Sequence, residues 1–147
     1  MFGAPSQRSS FWSNISVENY ETSCRRKFEA DNVIYERLIS FFNSGSFVNS
    51  EDKSERRFIR RKAATFQWDA AQKILYYTGV GDSKRREVIR TMEKLADVLW
   101  FHHSSPTSGH SGVLATYNRV AAVYYWRSMR EDVKHYISII HKTIRFL

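Results

Sequence analysis

The apolar residues of this chain change their period twice along its 147 residues, and that double change constrains the fold more than any other feature. From residue 18 to 43, Phe28, Val33, Ile34, Leu38 and Phe41 fall near helical spacing with charges between them. The cluster Asn43-Ser44-Gly45-Ser46 ends that element. A second helix is expected from about Ser50, with Ser54 and the acids Glu51 and Glu55 near its first turn, where they suit the helix dipole. Around Phe66 the period falls to two: Thr65-Phe66-Gln67-Trp68 alternates, Asp69-Ala70-Ala71-Gln72 turns, and Lys73-Ile74-Leu75-Tyr76-Tyr77-Thr78 returns with β-branched and aromatic residues. Gly79 to Ser83 makes a second turn, and Arg86-Glu87-Val88-Ile89 reads as a short third strand. From Thr91 the helical period resumes through Met92, Leu95, Val98 and Leu99, and two further helices are expected over 113–125 and 129–140. The pattern predicts an α+β fold of N-terminal helices, a small β-hairpin extension and a three-helix module.

Composition bounds what such a fold can do. With 42% hydrophobic and 15% aromatic residues, the chain can bury a core. The single cysteine, Cys24, excludes an internal disulfide and a four-thiolate metal site. Arg25 and Arg26 beside it are charges that would lower a thiol pKa. The N-terminal stretch lacks the apolar core of a signal peptide, and no apolar run reaches the ~18 residues of a membrane span. The expectation is an intracellular, non-secreted protein of nucleus or cytoplasm, with no membrane contact. The net charge is +8, and the excess sits past residue 50: residues 1–50 hold five basic and five acidic residues, 51–100 twelve and eight, and 101–147 six and two. Such an excess suits phosphate contacts that release counterions. The candidates are Arg56, Arg57, Arg60, Arg61 and Lys62 on the second helix and Lys84, Arg85 and Arg86 in a turn. They imply DNA as a partner, with RNA as an alternative.

Chemistry-bearing residues gather between His102 and Ile137. His103 and His110 stand seven residues apart, the second within Gly109-His110-Ser111-Gly112. The two glycines permit positive φ and a tight helix start. Thr116 follows, then Tyr124-Tyr125-Trp126, then Asp132-Val133 and Tyr136-Ile137. Two imidazoles on such a loop can ligate zinc, but a structural zinc needs four ligands. No P-loop, Gly-x-Ser-x-Gly or Gly-x-Gly-x-x-Gly occurs. Glu87, Glu93 and Asp97 at helical spacing do not by themselves make an active site.

This order of residues resembles the N-terminal HHCC (H2C2) zinc-binding domain of Ty3/Gypsy-type retroelement integrases and of host proteins derived from them. The helix, hairpin and helical-module order resembles the same family, over about residues 54–138. The resemblance implies zinc held by His103, His110 and a Cys-x-x-Cys pair, yet Ile140 and Thr143 occupy the two cysteine positions. His135 and His141 are the other imidazoles near them. Where the family has Trp-Pro-x-Met, this chain has Trp126-Arg127-Ser128-Met129. The expected site is therefore partial, with zinc bound weakly or not at all.

The implied organisation is a tail over 1–17, a helical region over 18–64, the hairpin over 65–90, the zinc-binding-like module over 91–140 and a divergent tail over 141–147. The family's catalytic carboxylates belong to a separate core after the module, so no catalytic residue is carried over and no enzyme activity is expected. Two roles follow from the resemblance. One is a non-catalytic module for nucleic-acid binding or assembly, including self-association. The other is a remnant or truncated isoform acting only through protein–protein contact.

Overall fold

The computed structural model describes residues 18–47, 52–81, 84–104 and 112–144. Among them it is an α+β structure of helices and four short strands. It forms two compact units, one from the residues up to Phe28 together with Ile89 onward, the other from Glu29 to Val88. Among the described residues, no helix is long and apolar enough to cross a membrane.

Helix α1, Glu18–Ser44, contributes its first turns to the first unit and the remainder to the second. It stops at Gly45, whose φ of 69° is the left-handed conformation that ends helices. The Gly45 N–H donates to the Phe41 carbonyl at 2.7 Å.

In the second unit, α2 spans Lys53–Ala63. Its cap is Asp52, whose carboxylate accepts from the Ser54 N–H at 2.9 Å, so Ser54 is the capped residue and not the cap. Strands β1 (Phe66–Asp69) and β2 (Ile74–Tyr77) form the expected antiparallel hairpin, with Phe66 opposite Tyr77 and Trp68 opposite Leu75. Its turn is closed by Asp69, which accepts from the Gln72 N–H at 2.9 Å, and by Lys73 at φ 57°. Strand β3 (Arg86–Val88) pairs with β2, Tyr76 facing Glu87. Tyr35, Leu38, Ile59, Phe66, Leu75 and Val88 are the buried apolar residues of this unit.

In the first unit, α3 (Met92–Leu99) starts at Thr91, whose hydroxyl accepts from the Lys94 N–H at 3.1 Å. A π-helical turn, Trp100–Ser104, continues it. Helix α4 (Val113–Ala121) and helix α5 (Met129–Ile144) follow, separated by β4, Tyr124–Tyr125. The helix expected through residue 125 therefore ends four residues earlier. The paired tyrosines favour extended backbone, and the Tyr125 carbonyl accepts from the Ile89 N–H at 2.8 Å. The core joins Cys24 and Phe28 of α1 to Ile89, Leu95, Leu99, Val120, Trp126, Val133 and Tyr136.

Candidate metal centre and nucleic-acid surface

The π turn places His103 inside the first unit, with 0% exposure. Its Nδ1 lies 3.2 Å from the hydroxyl of Thr116, itself fully buried on α4. The edge of Tyr136 packs against the ring, with centroids 6.2 Å apart. With Nδ1 committed to Thr116, a metal contact at His103 would run through Nε2. His102 points elsewhere. Its carbonyl accepts from the Arg119 guanidinium at 2.6 Å, and burial, then the Arg119 charge, lowers its imidazole pKa.

His110 and Gly109 lie outside the described residues, as do the side chains of Ile140, His141 and Thr143 on α5. Gly112 does not use positive φ: it caps α4 in extended backbone at φ −69° and ψ 177°. The residue that takes the left-handed region is Ser128, at φ 68°, within the Trp126-Arg127-Ser128-Met129 turn. The turn forms without the proline that the family has at the position of Arg127, and passes through the left-handed region at the next residue.

A second polar cluster, not expected from the sequence, surrounds Asp132. This carboxylate is 4% exposed. It accepts from the Trp126 indole N–H at 2.7 Å, from the Tyr20 hydroxyl, and from the Lys27 ammonium at 2.5 Å. The Cys24 thiol lies 3.9 Å away. Burial and the neighbouring Asp132 charge push the Tyr20 hydroxyl pKa well up. Burial also raises the Cys24 thiol, so the lowering that Arg25 and Arg26 could give does not prevail. Arg25 is turned to Glu21 and Glu93 at 2.9 and 2.7 Å, and the Arg25 hydrogen bond holds the Glu93 carboxyl low. His135 stacks on Tyr20 with ring centroids 3.8 Å apart. The signal for this cluster was the spacing Tyr20, Cys24, Lys27, which lies on one face of a helix, with Asp132 as its distant partner.

The basic candidates divide by exposure. Arg57, Arg60, Arg61 and Lys62 of α2 are exposed, and Arg56 is half-buried. The Arg60 guanidinium sits 5.2 Å over the Phe47 ring and Lys62 sits 5.7 Å over Phe58, so their stems cover apolar surface while their charges face water. Lys84 and Arg85 are exposed, whereas Arg86 is half-buried over Tyr77 at 5.2 Å. Arg119, Arg127 and Arg130 belong to the other unit.

The buried histidine set by a threonine and the tryptophan bonded to an aspartate lie in one stretch of the chain. Residues 90–138, about a third of the chain, match the integrase zinc binding domain family. Over 101 residues, the chain is 32% identical to "Gypsy retrotransposon integrase-like protein 1" of Pongo abelii, covering 69% of this chain and 19% of that protein. The proteins of the same name from Homo sapiens and Mus musculus are 31% and 30% identical over the same length. The chain spans about a fifth of the length of these curated relatives. No solved structure gives a significant match.

Zinc is the metal this family implies, and a closed structural site takes four nitrogen or sulfur ligands. The described residues do not assemble one. The positions that the resemblance assigns to the two thiolates carry Ile140 and Thr143, which supply none. His135, a described imidazole on the same helix, is stacked on Tyr20. Among the described residues, no three His, Cys, Asp or Glu side chains come together as metal ligands. An integrase zinc-binding domain is also not the catalytic core of an integrase.

Proposed function

We propose that the chain acts as a non-catalytic, integrase-derived module that binds nucleic acid, DNA foremost, through its basic surface, inside the nucleus or cytoplasm. The observation that carries this reading is the row of exposed cations Arg57, Arg60, Arg61 and Lys62 on α2. Similarity to integrase-like proteins supports it. Phosphate neutralisation would dominate, so affinity should tolerate sequence change and fall steeply with salt. Replacing Arg56, Arg57, Arg60 and Arg61 with Gln should flatten the log–log salt slope by about 0.9 for each phosphate that is no longer neutralised. Fluorescence anisotropy on a mixed-sequence duplex measures it, and absence of binding by the wild type at low salt sinks the reading.

A further role for the same module is assembly by self-association, and the alternative is a remnant acting only through protein–protein contact; the exposed Leu114 and Val123, 65% and 49% accessible, are apolar surface that either would use. Sedimentation equilibrium tests the self-association: a monomer at all concentrations argues against it.

A further inference from the structure

The second unit carries a cleft of about 500 Å³ that the basic row on α2 does not explain. Phe42 of α1, Trp68 of β1 and Tyr76 of β2 supply three aromatic rings, and Gln67, Asp69 and Arg85 supply polar groups. Two of the rings carry fixing contacts. The Trp68 indole N–H donates to the Asn43 side-chain carbonyl at 2.9 Å, and the Arg85 guanidinium lies 4.2 Å over Tyr76. Trp68 and Tyr76 remain half-buried, and Arg85 is exposed with Lys84 beside it in sequence.

We propose that this cleft receives an unpaired base of a single-stranded nucleic acid, with Arg85 and Lys84 at its phosphate. The inference rests on the nucleic-acid reading above and narrows it. Aromatic rings stack on any base. An amide and a carboxylate match the donors and acceptors on a base edge, which Watson–Crick pairing would otherwise occupy. A volume of this order holds a nucleotide. A duplex hides both faces and the pairing edge of each base, so the cleft selects for unpaired strands. The positive charge of Arg85 and Lys84 favours a polyanion over a neutral apolar ligand.

The test uses the full chain, a short fluorescein-labelled mixed-sequence DNA single strand, and the blunt duplex of the same sequence. The wild type should bind the single strand more tightly at equal salt. Trp68→Ala should weaken single-strand binding by about tenfold or more, in line with the loss of one stacked base, and leave duplex binding within about twofold. Arg85→Gln, at an exposed position that leaves the core intact, should weaken the single strand several-fold. Trp68→Phe, which keeps a ring, should retain most of the affinity, so a loss in Trp68→Ala from misfolding is recognised by circular dichroism and by this companion variant. Equal affinity for both forms, or parallel losses on both in the cleft variants, overturns the proposal while leaving duplex binding in place. Absence of binding to either form overturns both readings. Concentration-dependent self-association that Trp68→Ala abolishes, with single-strand affinity unchanged, assigns the cleft to a second copy and overturns it as well.

Discussion

The two compact units stabilise themselves by different means. The hairpin unit buries Tyr35, Leu38, Ile59, Phe66, Leu75 and Val88, all apolar or aromatic. The unit containing Trp126 buries His103, Thr116 and Asp132 beside its apolar core, and these are the buried polar or charged residues among those described. An apolar interior tolerates exchange among side chains of similar volume. A buried carboxylate does not, because each donor around it must stay in place or be left without an acceptor in a dry environment. The integrase-like unit thus adds a few specific polar contacts to its apolar core, whereas the buried residues of the hairpin unit are apolar or aromatic throughout.

The largest test of this contrast puts the thiolates back. Ile140→Cys with Thr143→Cys places two sulfurs about one helical turn apart on α5. If the unit keeps the family geometry, the double variant should take up one zinc ion and melt higher with metal than without, since structural zinc contributes about 10–16 kcal/mol of apparent binding energy in finger peptides. The wild type should do neither, and adding His103→Ala should abolish uptake. A folded double variant that stays metal-free under elemental analysis shows that the two halves do not converge.

Next in size is Asp132→Ala. It strips the acceptor from Trp126 and Tyr20 and leaves Lys27, whose side chain is 14% exposed, with an uncompensated charge. Breaking a buried pair in this way costs about 3–5 kcal/mol. Urea denaturation reads it, and a loss under about 1 kcal/mol would mean the cluster is incidental to stability.

A smaller effect appears at high pH. The folded state holds the Tyr20 hydroxyl, and the Cys24 thiol with it, above their ordinary pKa values. The unfolded chain therefore loses these protons first. Stability is fully present below the unfolded pKa values and falls as pH rises through about 8.5 for the thiol and about 10 for the phenol. Above pH ~10 the phenol contributes a slope approaching ~1.4 kcal/mol per pH unit. Melts between neutral and strongly basic pH should show the decline. Tyr20→Phe should flatten its upper part, and a Tyr20→Phe profile parallel to wild type contradicts the assignment. Smallest is Arg25→Gln, which breaks the exposed pairs to Glu21 and Glu93 and should cost less than about 1 kcal/mol.

Local pattern explains why much of the fold was legible. Phe28 and Leu38 at helical spacing announced α1, and alternation at Phe66 and Trp68 announced the hairpin. Both signals lie within a few residues. The site was only half legible. His103 and Thr116 stood out in the sequence, but their contact depends on a π turn that no spacing rule marks. The Tyr124–Tyr125 strand depends on Ile89, and the Asp132 cluster on residues more than a hundred positions away. Glycines misled at Gly112, where extended backbone suffices, while Ser128 carries the left-handed turn.

The Asp132 cluster also bears on where this domain begins. The family match starts at residue 90, but the lid over Trp126 and Asp132 is Tyr20, Cys24, Lys27 and Phe28. The functional boundary is therefore discontinuous in sequence, and a fragment trimmed to the family-matching stretch would lose the side chains that neutralise its interior charge. In this chain the early helix segment therefore anchors the module by hydrogen bonds and an ion pair, an attachment that does not depend on a metal.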